Sequence, residues 1–294
     1  MNSAREKPSV ENVKAKSKII QKVRGMPASD GAGVKLSRVL GQPALKRLDP
    51  FLMLDEFGSE DAQDYIAGFP QHPHRGFQTV TYMLEGKMGH KDSVGNEGVI
   101  EDGGLQWMNA GKGIIHEEMP QQTHGRMRGF QLWVNLPASE KMSPPGYQDI
   151  PSAEIPEISF EGAKVRVLSG KFKGVEGPVK TTAISPQFFD LHLSKRSSLR
   201  LDVDKTHAGF IYVYEGSLTV GDLTLQKGEL GVLKMGDELL LEALHTSYES
   251  TQSKAIFVSG TPIDEPVVQY GPFVMNTQAE IEQAIQDYQN GMLA

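Results

Sequence analysis

The chain has 294 residues, 38% hydrophobic and 23% charged, with a net charge of −7 and a pI near 5.7. That length allows two ordinary domains with buried cores, and the acidic balance argues against direct nucleic-acid binding, which needs a basic surface to displace counterions. With no cysteine, disulfides, thiolate nucleophiles and thiolate-held metals are excluded.

In chain order, residues 1–16 read as a flexible basic arm (Arg5, Lys7, Lys14, Lys16) interrupted by Glu6 and Glu11. No signal-peptide core follows these charges, and no apolar run approaches the ~20 residues of a membrane span. The sequence therefore predicts a soluble, cytoplasmic protein with no membrane partner. Residues 17–140 hold short runs such as "FQTVTYML" and "GFQLWVNL", rich in β-branched and aromatic residues and bounded by glycine or proline. Such runs predict the strands of a barrel or sandwich. Residues 136–157 carry five prolines and almost no periodicity, which places a linker at 141–157. Strand-like runs resume with "AKVRVLSG", "FFDLHL", "GFIYVYEG" and "KAIFVSG", giving a second barrel over 158–294. It ends in one helix over 278–290. Thr277 and Glu280 make a capping box, Ile281, Ala284, Ile285 and Tyr288 form an apolar stripe, and Gly291 closes the end. The fold class is all-β, with tandem barrels and a C-terminal helix.

The two halves echo each other. "TYMLEGKMGH" (81–90) aligns with "IYVYEGSLTV" (211–220), and "GGLQWMNAGKGIIHEE" (103–118) lies without gaps on "GELGVLKMGDELLLEA" (228–243). This predicts a duplicated β-unit.

Five of the eight histidines fall between residues 72 and 124. In a strand, residues i and i+2 share a face, so His72 and His74 point the same way, as do His116 and Glu118. A lone H-x-H is common as polar decoration on an edge strand. A second such pair on a neighbouring strand brings three imidazoles and a carboxylate within reach of one divalent metal, with positions left open for substrate and oxygen. At the spacing that superposes the Glu-Gly turns, His72 and His74 fall on Asp202 and Asp204; His116 and Glu118 fall on Leu241 and Ala243. One metal per chain is expected, in the first barrel. His90 and His124 read as surface residues, Trp107 and Trp133 as core or pocket wall, and "AGKGII" as a glycine turn, since no helix follows it.

The stretches "LDPFLMLDEF", "FPQHPHRGFQTVTYMLEG", "LQWMNAGKGIIHEEMP", "QLWVNLPASEKM" and "YGPFVMNT" resemble the pirin family, whose members are bicupins of the cupin superfamily. The resemblance spans residues 48–277. It implies two tandem cupin (double-stranded β-helix, jelly-roll) barrels. It also implies metal ligation by His72, His74, His116 and Glu118. Many cupins place the fourth ligand four residues after the H-x-H. Here that residue is Gln78, a poor ligand, which is expected to hydrogen-bond near the metal instead. By resemblance to quercetinases, the expected activity is flavonol cleavage by O₂, with a small aromatic substrate and Glu118 as the catalytic base. Iron, as Fe(II), is the favoured cofactor, with Mn, Ni, Co, Cu or Zn as alternatives. The family also implies a second role, a metal-sensing regulator that binds a transcription factor or metabolic enzyme. A structural, seed-storage-like double barrel is the blandest alternative.

Overall fold

A computed structural model of the chain describes residues 14–180, 184–244 and 251–294; residues 1–13 of the basic arm lie outside them. The strand Phe77–Glu85 shows how the pattern becomes structure. Phe77, Thr79, Thr81 and Met83 face one side, and Gln78, Val80, Tyr82 and Leu84 the other. Residues 77–83 are all buried, because a cavity-bearing sheet pair lies on one side and the second domain on the other.

This strand is central in a seven-stranded antiparallel sheet. The order is Gly146–Ile150, Leu105–Asn109, Phe77–Glu85, Met127–Asn135, Phe51–Ser59, Val34–Leu40, Met26–Asp30. A four-stranded sheet, Phe69–His74, Ile114–Pro120, Met88–Asp92 and Glu97–Ile100, faces it. The second domain repeats the plan. Its seven-stranded sheet is centred on Ala208–Glu215, Gln252–Gly260 and Gln187–Ser194. Its four-stranded sheet runs Ser198–Asp202, Glu238–Glu242, Ser217–Val220, Leu223–Gln226. Each domain is thus a pair of facing sheets with free edges rather than a closed barrel. No helix among the described residues is long and apolar enough to cross a membrane.

Three segments cross the boundaries expected from sequence. The strand Lys18–Arg24 leaves the first domain and pairs with Glu229–Lys234 of the second. Just before it, Ala15 and Lys16 already dock beside Asp237 and Glu238. In the linker, Gly146–Ile150 forms the edge strand beside Leu105–Asn109. Lys141, 1% exposed, donates to Gly76 O, Asn135 Oδ1 and Val274 O, and burial pulls its ammonium down to about 8. Finally, the C-terminal hairpin (Val268–Tyr270, Phe273–Met275) and the helix Gln278–Gln289 return to the first domain. Ile281 and Ala284 pack with Phe273, Met275 and Ile115, and Arg75 holds Asp287 at 2.7 Å. The capping box forms as expected, whereas Tyr288 stays 43% exposed at the edge of the apolar stripe.

The domains meet through their seven-stranded sheets in one apolar core that includes Val80, Tyr82, Trp107, Phe130, Phe210 and Tyr212. Two tyrosines at duplicated positions cross this interface. Tyr82 donates to Asp190 of the second domain (2.7 Å), and Tyr212 donates to Glu56 of the first. Arg166 in turn donates to the Tyr82 hydroxyl (2.6 Å). Removing one such hydroxyl from a buried network costs about 1–3 kcal/mol. Tyr82→Phe is therefore expected to lower unfolding free energy by that amount in a denaturant titration, with metal content unchanged. An unaltered midpoint would show that the interface does not depend on this bond.

Candidate metal centre

The strands Phe69–His74 and Ile114–Pro120 pair antiparallel with His116 directly opposite His72 and Ile114 opposite His74. Opposed residues of an antiparallel pair share a face, so register alone brings three imidazoles together. Ring centroids lie 4.5 Å (His72–His116), 4.7 Å (His72–His74) and 5.0 Å (His74–His116) apart, and one ligand atom of each falls within 4.8 Å of the others. Beyond His116 the register shifts, so that Glu118 lies opposite Phe69. Such an irregularity re-aims side chains next to a site.

His74 and His116 are 2% and 1% exposed. Burial, then the neighbouring imidazoles, holds both well below the ordinary histidine value of 6.5. Neutral imidazole is the ligating form. His72 Nδ1 contacts Pro70 O at 2.8 Å, so its hydrogen is donated there and the Nε2 lone pair faces His116 Nε2 at 3.0 Å. Nδ1 of His74 and of His116 are buried without a partner. Three imidazoles whose ligand nitrogens converge fit a borderline divalent cation. They are a metal-binding triad.

Glu118 lies in the same cavity, fully buried, but outside the cluster of converging ligand atoms. Thr81 Oγ1 lies 3.0 Å from Glu118 Oε1 and 2.7 Å from Gln131 Oε1, while Gln131 Nε2 donates to Glu118 Oε2 at 3.1 Å. One hydroxyl hydrogen cannot serve two acceptor oxygens, so the cluster is one proton short unless Glu118 carries it. Burial raises the Glu118 pKa, opposed first by His72, which agrees with that count. Neither Thr81 nor Gln131 is detectable as a site residue from spacing, because each belongs to an ordinary β-patterned run.

Two expectations change. Gln78 sits on the opposite face of its strand, where its Oε1 accepts from Trp107 Nε1 (3.0 Å) in the interdomain core. Strand parity cannot be counted from His74 to Gln78 because the chain turns at Gly76. Its φ is +85°, and a Cβ there would lie 2.0 Å from Val274 O. His90 is buried rather than surface-placed: it stacks on Tyr147, meets Asp149 at 3.1 Å and lies opposite Glu118 on the next strand. His124 is exposed, Trp107 is core, and Trp133 is pocket wall, 5.4 Å from His74.

The sequence pattern of pirin matches residues 33–134, and that of the pirin C-terminal cupin domain matches residues 188–294. The chain belongs to the pirin family. A pirin-like protein of Caulobacter vibrioides is 48% identical over 275 residues, covering 93% of this chain and 98% of that one. Human pirin is 42% identical over 278 residues, covering 93% and 92%. Among solved structures, the quercetin 2,3-dioxygenase of Acinetobacter baumannii superposes with a TM-score of 0.85 at 34% identity, covering 95% of this chain and 99% of that one. Both cupin domains expected from the sequence are present.

Within this pirin fold the second domain keeps the register but not the chemistry. Leu241 pairs with Leu199 and Leu239 with Leu201, as His116 pairs with His72 and Ile114 with His74. The positions equivalent to His72 and His74 are thus Leu199 and Leu201, both in the apolar core. Asp202 instead pairs with Lys14, and Asp204 caps Thr206.

A depressed histidine pKa favours folding above the unfolded value and loses that contribution as pH falls toward the folded one. The metal-free protein should therefore lose stability below pH 6.5, by about 1.4 kcal/mol per pH unit for each depressed histidine until its folded value is reached. Denaturant titrations at pH 8, 6.5 and 5 should show a smaller loss in His74→Leu than in wild type. Equal slopes would contradict the buried, neutral state of His74.

Proposed function

We propose that this protein is a metal-dependent dioxygenase that cleaves a flavonol such as quercetin with O₂, using Fe(II) as its first-choice ion. The observation that carries the reading is the placement of Glu118: a buried carboxylate, oriented by Thr81 and Gln131, in one cavity with His72 and His74 of the triad. The similarity to the Acinetobacter baumannii quercetin 2,3-dioxygenase supports it. Iron is favoured because it serves oxygen chemistry, although affinity order alone favours Ni, Cu or Zn, and Mn and Co also suit these ligands.

His72, His74 and His116 would hold the ion, and Glu118, in the same cavity, would add a fourth ligand. A divalent ion there would bind the flavonol hydroxyl and carbonyl oxygens and lower the pKa of that hydroxyl. The remaining steps belong to the protein. Metal ligation would hold Glu118 ionised, so that it can take up the hydroxyl proton, while Thr81 and Gln131 keep its carboxylate aimed as its charge changes. The cavity, about 660 Å³, is walled on its apolar side by Met53, Phe57, Phe69 and Trp133, a lining suited to a flat ring.

Glu118→Gln keeps the size and one ligating oxygen but removes the base. It is expected to retain most of its metal and lose at least about a hundredfold in quercetin turnover per bound metal. His74→Ala should lose metal and turnover together. If wild-type protein loaded with Fe, Mn, Ni, Co or Cu consumes no oxygen with quercetin, the enzyme reading fails. A metal-sensing regulator that binds a protein partner then becomes the better account.

A further inference from the structure

Four strands of the first domain carry a polar row across the cavity floor. In cross-strand register, Thr81 lies opposite Gln131, Gln131 opposite Asp55, and Asp55 opposite Arg38. Opposed residues share a face, and adjacent strands lie about 4.8 Å apart, so the row extends roughly 14 Å from Thr81 to Arg38. Its first two members hold Glu118 at the metal end. Its last two form an ion pair at the other end: Arg38 Nε donates to Asp55 Oδ1 (3.0 Å) and Nη2 to Oδ2 (2.7 Å), while Nη2 also meets Asp30 at 3.1 Å. Apolar neighbours flank the row within the same cavity, Leu36 and Phe57 on one side and Met53 and Trp133 on the other.

The metal chemistry does not use this far end, and its composition is costly. Asp55 is 2% exposed, and burial raises its pKa despite Arg38. A buried ion pair is a weak source of stability, and apolar replacements of similar volume are often as good. This one lines an open cavity, and Arg38 Nη1 makes no hydrogen bond among the described residues. Each Asp55 oxygen has one lone pair spent on Arg38 and can accept again. The pair therefore offers an acceptor and a donor side by side, at the distal end of an aromatic-walled slot.

We infer that Arg38 and Asp55 are the specificity-determining pair of this cavity. They recognise a hydroxylated aromatic ring at the end of the substrate remote from its metal-chelating oxygens. Asp55 accepts from a ring hydroxyl, and Arg38 donates to a neighbouring ring oxygen. The substrate class is then a flat polyphenol that is polar at both ends, rather than any chelating aromatic. This inference rests on the flavonol reading but concerns binding, so it is tested without turnover.

The probes are quercetin and 3-hydroxyflavone, which keeps the chelating hydroxyl and carbonyl but lacks the outer-ring hydroxyls. Dissociation constants would be measured anaerobically with nickel-loaded protein, from the absorption change of the bound flavonol. Wild type should bind quercetin at least about tenfold more tightly. Arg38→Met combined with Asp55→Asn, which leaves no unpaired buried charge, should abolish most of that preference and leave 3-hydroxyflavone affinity within about twofold. Asp55→Asn alone should lose part of the preference, which keeps the test alive if the double variant does not fold. An unchanged preference in a folded variant overturns the inference, as does wild-type protein that binds neither flavonol. Preference abolished with no oxygen uptake by wild type would instead retire the dioxygenase reading while leaving this recognition intact.

Discussion

The pairing of His72 with His116 is the constraint on which the rest of the first domain depends. That single register gathers three imidazoles, and burial keeps at least His74 and His116 neutral, so a cation meets ligands that need not first lose protons. The surrounding structure serves to hold that register. Gly76 turns the chain immediately after the histidine pair, Lys141 ties Gly76 O to the returning C-terminal hairpin, and Arg75 anchors the final helix through Asp287.

The two domains show what the same scaffold does with and without that demand. Where the first domain has histidines, the second places Leu199, Leu201 and Leu241 in close-packed contact, which needs no ligand to be stable. The domains are also interleaved. The first strand of the chain joins the second domain, and the last hairpin and helix join the first. With the crossed tyrosine–carboxylate bonds, this makes the pair one structural unit.

Much of this was legible in the sequence. The i, i+2 spacing of His72 and His74 and of His116 and Glu118 led to the site, and the gapless alignment of 103–118 on 228–243 survives in the pairing of Tyr82 with Leu105 and Tyr212 with Leu230. Spacing misleads where strand arithmetic crosses a turn. Gly76 resets the faces between His74 and Gln78, so counting by twos fails there. The offset of the following strand carries His72 onto Asp202, whereas the second domain has three more residues in the intervening turn and the register equivalent is Leu199. Loop length varies freely between copies, whereas strand pairing does not. His90 looked like a surface residue because its stretch is polar. Only the fold shows it opposite Glu118 and beneath Tyr147. The row from Thr81 to Arg38 was invisible for a related reason, since its members come from four strands that are distant in sequence.

X-ray absorption at the metal edge, with metal analysis, of protein saturated with excess nickel or zinc and then freed of loosely held ions tests the central claim most directly. The account predicts saturation at one ion per chain and three imidazole nitrogens in its shell at ~2.0–2.2 Å, with the remaining ligands oxygen. Saturation at two ions, or a shell with fewer than three imidazoles, would contradict it.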